Sequence, residues 1–226
     1  MPLDTILVDR LLKLLGEIDD RASGERVGAS SKGSKSHGTT SPLAFDAQRL
    51  WQRVNSFISM NLAGPQADGA ALHLACFALQ LPARPSKGSA PTKPGRTNLR
   101  ERFEQAAELM VTHLGGEFDE ALLDRAVRIL QEAPQRAPML DEARLLADAV
   151  NLDDFGVIGL LTHAMQLAQQ GEGVGELSLA LEKREQYGYW EARLKEGFHF
   201  PVVCAIARKR LEEARKVGGM LKEELG

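Results

Sequence analysis

Cysteine is scarce in this chain, which has only Cys76 and Cys204 among its 226 residues. Each lies in an apolar stretch, where a free cysteine packs as a small hydrophobic side chain. We therefore expect both thiols to be reduced and buried, as is typical of the cytoplasm, with a disulfide between them as the alternative. No C-x-x-C pair is present for zinc or redox chemistry.

Long hydrophobic runs and an excess of one charge are also missing. No apolar segment approaches the roughly 20 residues of a membrane-spanning helix. The N-terminal MPLDTILVDR lacks the basic start of a signal peptide. The formal net charge is −3, so the chain lacks the basic surface that nucleic-acid binding requires. These absences predict a cytoplasmic protein that binds neither nucleic acid nor membrane.

Apolar residues at helical spacing dominate what is present. The pattern predicts an amphipathic helix at 1–21, a flexible Ser/Gly/Lys-rich linker at 22–43 and one helical domain at 44–226. Within that domain we expect helices at 44–62, 66–81, 98–114, 119–133, 140–151, 154–170, 174–187 and 201–224. Because no long alternating stretch predicts a strand, the fold class is an all-α bundle. The leucine stripe of the first helix docks either on its own domain or on a partner subunit in a homodimer.

Residues 142–159, EARLLADAVNLDDFGVIG, carry a family resemblance. They resemble a helix of the HD-domain superfamily of metal-dependent phosphohydrolases that reads roughly Glu-Ala-x-x-x-x-Asp-Ala-Asp-x-Leu-Asp-x-x-Gly-x-Ile-Gly. Weaker similarities extend over roughly 44–225, where RLWQRV resembles the family's first helix and LACFALQL resembles the helix that ends in the His-Asp pair. YGYWEARL and AIARKRLEEARKV occupy the places of its later segments. The resemblance implies an HD-domain-like helical bundle.

The family's metal ligands are replaced in this chain. Its first-helix histidine corresponds to Leu50, its His-Asp pair to Leu79 and Gln80, and its later aspartate to Val150, while an upstream histidine corresponds to Asp46. Leucine and valine have no lone pair to give a cation, and glutamine is a weak neutral donor. Without the ion, no bound water is activated. The resemblance therefore implies a degenerate pocket with no catalytic residue, metal ligand or cofactor, at positions Asp46, Leu50, Leu79, Gln80, Asp148, Val150 and Asp153.

Polar residues near the motif leave several alternatives open. Asp148 or Asp153 is a residual ligand or general base, unless Asp153 simply caps a helix that begins near Asp154. His73 and Cys76, one turn apart, form a weak metal pair or, as we favour, a packed core pair. His199, between two phenylalanines, is expected to pack.

The leading hypothesis is a catalytically inactive HD-like domain with a binding, sensing or scaffolding role. Its partner would be a protein or a small molecule such as a nucleotide. The alternative is a phosphohydrolase of nucleotides or phosphoesters that uses unconventional ligands such as Asp46, Glu132 and Asp148. The loop at 82–97, rich in Gly, Pro, Arg and Lys, either binds phosphate or is solvated.

Overall fold

The computed structural model describes residues 8–13, 42–81, 99–116 and 118–226, with the side chains of 42–45 and 113 excepted. Every regular element in these ranges is helical and none is a strand, which confirms the all-α prediction. Most of the predicted linker and the loop at 82–97 lie outside the described residues, as does His37. None of the described helices has the length and apolar character needed to cross a membrane.

From α2 onward, the bounds of the predicted helices agree with the observed ones to within a few residues, whereas the helix predicted at 1–21 is described only over 8–13. The helices are α1 (8–13), α2 (Pro42–Ser59), α3 (Gly69–Ala78), α4 (Leu99–Leu114), α5 (Glu120–Glu132), α6 (Asp141–Asn151), α7 (Gly156–Gln169), α8 (Val174–Gln186), α9 (Tyr189–Glu196) and α10 (Pro201–Leu225). A 3₁₀ turn, Leu152–Asp154, follows α6. Helix α9 was not predicted, because Trp190 is the one residue of its eight that is buried and no apolar stripe reveals it.

The described residues form two compact units, which divide between Leu146 and Ala147. Unit 1 is built around α3, which packs against α2, α4 and α5. Nine of the ten residues of α3 are buried, as the density of its apolar residues predicts. The large core side chains of unit 1 include Phe57, Phe77, Phe103, Met110 and Ile129. In α1, Leu11 is only 3 % exposed, so the same chain covers this residue of the leucine stripe.

Unit 2 contains α7 to α10, with α10 packed against α7, α8 and α9. One apolar cluster of this unit centres on Leu160, Leu167 and Leu177. The buried rings of Phe155 and Trp190 also pack together, with 5.3 Å between their centroids. Two glycines of the motif, Gly156 and Gly159, lie where other atoms come close. Gly156 has φ +86° and a Cβ there would lie 3.1 Å from Cβ of Arg210, while a Cβ on Gly159 would collide with the carbonyl oxygen of Asp154.

Candidate functional site

Two buried carboxylates of the motif, Glu142 and Asp148, lie on α6 and belong to different units. Glu142 is 2 % exposed. Its Oε1 accepts hydrogen bonds from Nη2 (2.7 Å) and Nε (3.2 Å) of Arg125 and from the backbone N–H of Asp68 (2.9 Å). Asp68 is the N-cap residue of α3, and its own carboxylate accepts from the N–H groups of Ala70 and Ala71. Glu142 therefore fixes the start of α3 and, through Arg125, a turn of α5.

Asp148 makes a similar connection within unit 2. It is 0 % exposed. Its Oδ2 accepts from the N–H of Phe200 (3.0 Å), and its Oδ1 accepts from the N–H of His199 (2.9 Å). Phe200 is the N-cap residue of α10 and has no side-chain hydrogen bond to offer it. The carboxylate thus supplies acceptors and negative charge at the N-terminus of a 25-residue helix.

The imidazole of His199 completes the shell around Asp148. Its Nδ1 lies 2.8 Å from Oδ1 of Asp148, and its side chain is 21 % exposed. An imidazole held at Nδ1 by a carboxylate has a fixed orientation and can exchange a proton at Nε2. We expected His199 simply to pack between its neighbours. The sequence gives no local signal for this contact, because the two residues are 51 positions apart.

Of the implied ligand positions, the aliphatic ones are buried. In unit 1, Leu50 is 2 % and Leu79 4 % exposed, and in unit 2 Val150 is 7 % exposed. Gln80 is half-buried just after α3. Asp46 is an exposed side chain that forms an ion pair with Arg49, with 3.5 Å between Oδ1 and Nε. Burial of the three aliphatic side chains is the result expected if they pack as ordinary core.

The predicted capping role of Asp153 is wrong. Helix α7 begins at Gly156, and its N-cap residue is Phe155, which makes no side-chain hydrogen bond. Asp153 lies instead within the 3₁₀ turn and is half-buried. This turn inserts residues between α6 and α7, so the helix starts later than its acidic residues suggest.

Two other polar side chains of the motif, Asn151 and Asp154, bind α9 and the residue after it. Nη2 of Arg193 donates to Oδ1 of Asn151 (3.0 Å) and to Oδ2 of Asp154 (2.6 Å). Nδ2 of Asn151 donates to the carbonyl oxygen of Gly197 (2.6 Å). These bonds connect the end of α6 and the 3₁₀ turn to α9.

The carboxylates considered for an unconventional metal site have separate partners. Glu132 accepts from Nε of Arg128 and from the N–H groups of Met139 and Leu140, each at 2.9 Å. Burial acts to raise the pKa of Glu132, but hydrogen bonds from Leu140, Arg128 and Met139 outweigh it and lower the pKa. Across the described ranges, no three His, Cys, Asp or Glu side chains are grouped closely enough to hold a metal ion.

His73 and Cys76 are a packed core pair, as favoured from sequence. The His73 ring stacks on Trp51 with 3.9 Å between centroids and an angle of 11°. Burial lowers the pKa of His73 to about 4, so the ring is neutral at physiological pH. The Cys76 thiol is fully buried, and burial raises its pKa.

The expectation of two buried thiols is wrong for Cys204. This residue is only half-buried, and its Sγ lies 3.3 Å from the carbonyl oxygen of Leu194, which accepts its hydrogen bond. Its position on a helix with exposed neighbours explains the difference, since the apolar stretch PVVCAIA has only Val203 and Ala207 on its buried side. Both cysteines are free thiols.

The chain was compared with protein-family models, curated proteins and solved structures, and none of them matched it.

Proposed function

We propose that this chain is a degenerate HD-like helical domain that binds, senses or scaffolds instead of hydrolysing phosphoesters. The observation that carries the proposal is the burial of hydrocarbon at positions where the resemblance implies metal ligands. Leu50 and Leu79 are part of the core of unit 1, and Val150 is buried in unit 2. A packed aliphatic side chain offers no donor atom to a divalent cation.

The surroundings of Asp148 support the same proposal. Both of its oxygens already accept hydrogen bonds from His199 or Phe200. A metal ion or a reacting proton would have to displace contacts that hold the start of α10. The carboxylate is therefore better suited to anchoring a helix than to acting as a free ligand or general base.

The alternative, a phosphohydrolase with unconventional ligands, requires carboxylates that are free to meet at one ion. Asp46 pairs with Arg49, and Glu132 accepts three hydrogen bonds within unit 1. No contact among the described residues favours this alternative, so it is the competing outcome of the test.

The test measures metal content and turnover on the same preparation. The full chain is purified without chelators, analysed for bound metals, and assayed with Mn²⁺ on nucleotides and a generic phosphoester. We expect far less than one metal per chain and no turnover above that of an Asp148→Asn variant. One tightly bound metal per chain, with turnover that this variant loses, would contradict the proposal.

A thermal-shift panel then separates the binding roles. A molecule that binds only the folded chain raises its melting temperature according to its concentration relative to Kd. A shift with one nucleotide class would identify a nucleotide sensor. No shift with any nucleotide would favour a protein partner.

A further inference from the structure

Unit 2 has a groove that is lined by none of the implied ligand positions. It lies between α8, α9 and α10 and has a volume of about 340 Å³. Its walls are mostly apolar and include Leu181, Trp190, Leu211, Ala214, Gly218 and Gly219. This volume is near the lower end of the roughly 300–1,000 Å³ found for small-molecule sites, which are likewise lined mainly by apolar and aromatic side chains.

Two consecutive glycines of α10 keep this groove open. Glycine inside a helix is unfavourable relative to alanine, so a pair of glycines about two turns before the end of α10 needs a local reason. Close helix packing does not provide one at Gly219, because a Cβ built there meets no atom within 4 Å. At Gly218 a Cβ would make only an ordinary contact, 3.5 Å from Leu181. The missing side chains leave space in the groove.

The charges around the groove are already matched to each other. Arg215 on α10 pairs with Glu185 on α8 (2.7 Å) and with Glu191 on α9 (3.0 Å). About two turns further along α10, Lys222 pairs with Glu182 on α8. An ionic ligand would have to compete with these pairs, whereas a neutral ligand leaves them intact. The paired charges at the edge of the groove therefore favour binding of an uncharged molecule over a charged one.

We propose that this groove binds an uncharged, apolar small molecule with two or three aromatic rings. Trp190, which is 5 % exposed, forms part of its inner wall, and Leu181, Leu211 and Ala214 add further apolar lining. The site is independent of the HD-like interpretation, because it shares no residue with the implied ligand positions. The proposed function names binding without saying what is bound, and this groove adds a class of ligand to it.

The experiment uses N-phenyl-1-naphthylamine, a neutral probe that brightens in apolar surroundings, and the full-length chain. Gly219→Leu fills the groove with a side chain for which the helix has space. Gly175→Leu is the matched control, since a Cβ at Gly175 also meets nothing within 4 Å and this residue does not line the groove. We expect saturable binding of one probe per chain, at least tenfold weaker in Gly219→Leu and within twofold of the parent in Gly175→Leu.

Further measurements keep the result interpretable. Melting temperatures establish that both variants fold, and if Gly219→Leu does not, Gly219→Ala replaces it with an expected loss of at least twofold. The neutral probe makes no ionic contact that salt could screen. Raising the salt concentration should therefore change its affinity less than twofold. Absent saturable binding, or equal affinity in the parent and the groove-filling variant, would overturn the proposal. The metal and turnover assay reports on the HD-like interpretation separately.

Discussion

Helix α6 contributes one buried carboxylate to each unit, and the two are held by different partners. Glu142 in unit 1 accepts from Nη2 and Nε of the Arg125 guanidinium. Asp148 in unit 2 accepts from His199, whose imidazole is charged only when protonated. Each also accepts from the backbone N–H of another helix's N-cap residue, Asp68 or Phe200. Residues that resemble part of a catalytic motif thus act in both units as anchors for helix starts.

The two units differ more in their buried apolar side chains than in the polar anchors, Glu142 and Asp148. Unit 1 has a core of large aromatic and aliphatic side chains around α3. Unit 2 buries fewer apolar side chains, chiefly a leucine cluster and the packed rings of Phe155 and Trp190. Several large apolar side chains of α7 and α8 remain exposed, among them Leu161, Met165 and Leu179. With less apolar area to stabilise it, unit 2 should depend more on its polar anchor.

The largest effect is expected for Asp148→Ala. This change leaves two backbone N–H groups and the Nδ1 of His199 without their acceptor, so we expect a loss of about 3–5 kcal/mol in the free energy of unfolding. Urea denaturation measures it. Asp124→Asn, at an exposed position of α5, is the control and should change stability by less than about 0.5 kcal/mol. A cost below that of the control would contradict the anchoring role.

A smaller effect on the free energy of unfolding is expected when the pH is lowered, because His73 in unit 1 is buried in its neutral form. Burial lowers the pKa of His73 from 6.5 to about 4, so the unfolded chain takes up this proton first as the pH falls. The contribution of neutral His73 to the free energy of unfolding is present above pH 6.5 and is lost progressively as the pH falls toward 4. Between pH 7 and 5 we expect the parent to lose about 2 kcal/mol more than His73→Phe, which keeps a ring beside Trp51. Parallel pH profiles of the two proteins would contradict this expectation.

Glu142→Gln sharpens the comparison of the two anchors. The amide keeps an acceptor for the N–H of Asp68, and the side chain of Arg125, 31 % exposed, can turn toward water. We therefore expect a cost of about 1–2 kcal/mol by urea denaturation, less than for Asp148→Ala. A cost that exceeds the loss from Asp148→Ala would reverse the proposed ranking of the units.

The smallest effect is expected at Gly219 and has the opposite sign. Alanine has a higher helix propensity and meets no atom there, so Gly219→Ala should stabilise the chain by about 0.5–1 kcal/mol. Gly156→Ala is the matched contrast and should destabilise it, because φ is +86° at Gly156 and Arg210 is in contact. Melting temperatures that move in the same direction for both variants would contradict these roles.

Much of the helical architecture was predictable because apolar spacing and Gly or Pro boundaries are local signals. The burial of Leu50, Leu79 and Val150 followed from their apolar character. The contact between Asp148 and His199 was not predictable, since it depends on how α6 meets the start of α10 in three dimensions. Asp153 was misassigned for a local reason, because propensity does not distinguish a 3₁₀ turn from the first turn of an α-helix.

The most direct measurement of the central claim is a Mn²⁺ titration of the full chain followed by electron paramagnetic resonance, in parallel with Asp148→Asn. If the motif's carboxylates anchor helices and hydrocarbon occupies the ligand positions, both proteins should leave the added Mn²⁺ free, with no stoichiometric tight site. A single saturable Mn²⁺ site in the parent that the variant lacks would show that Asp148 is a metal ligand.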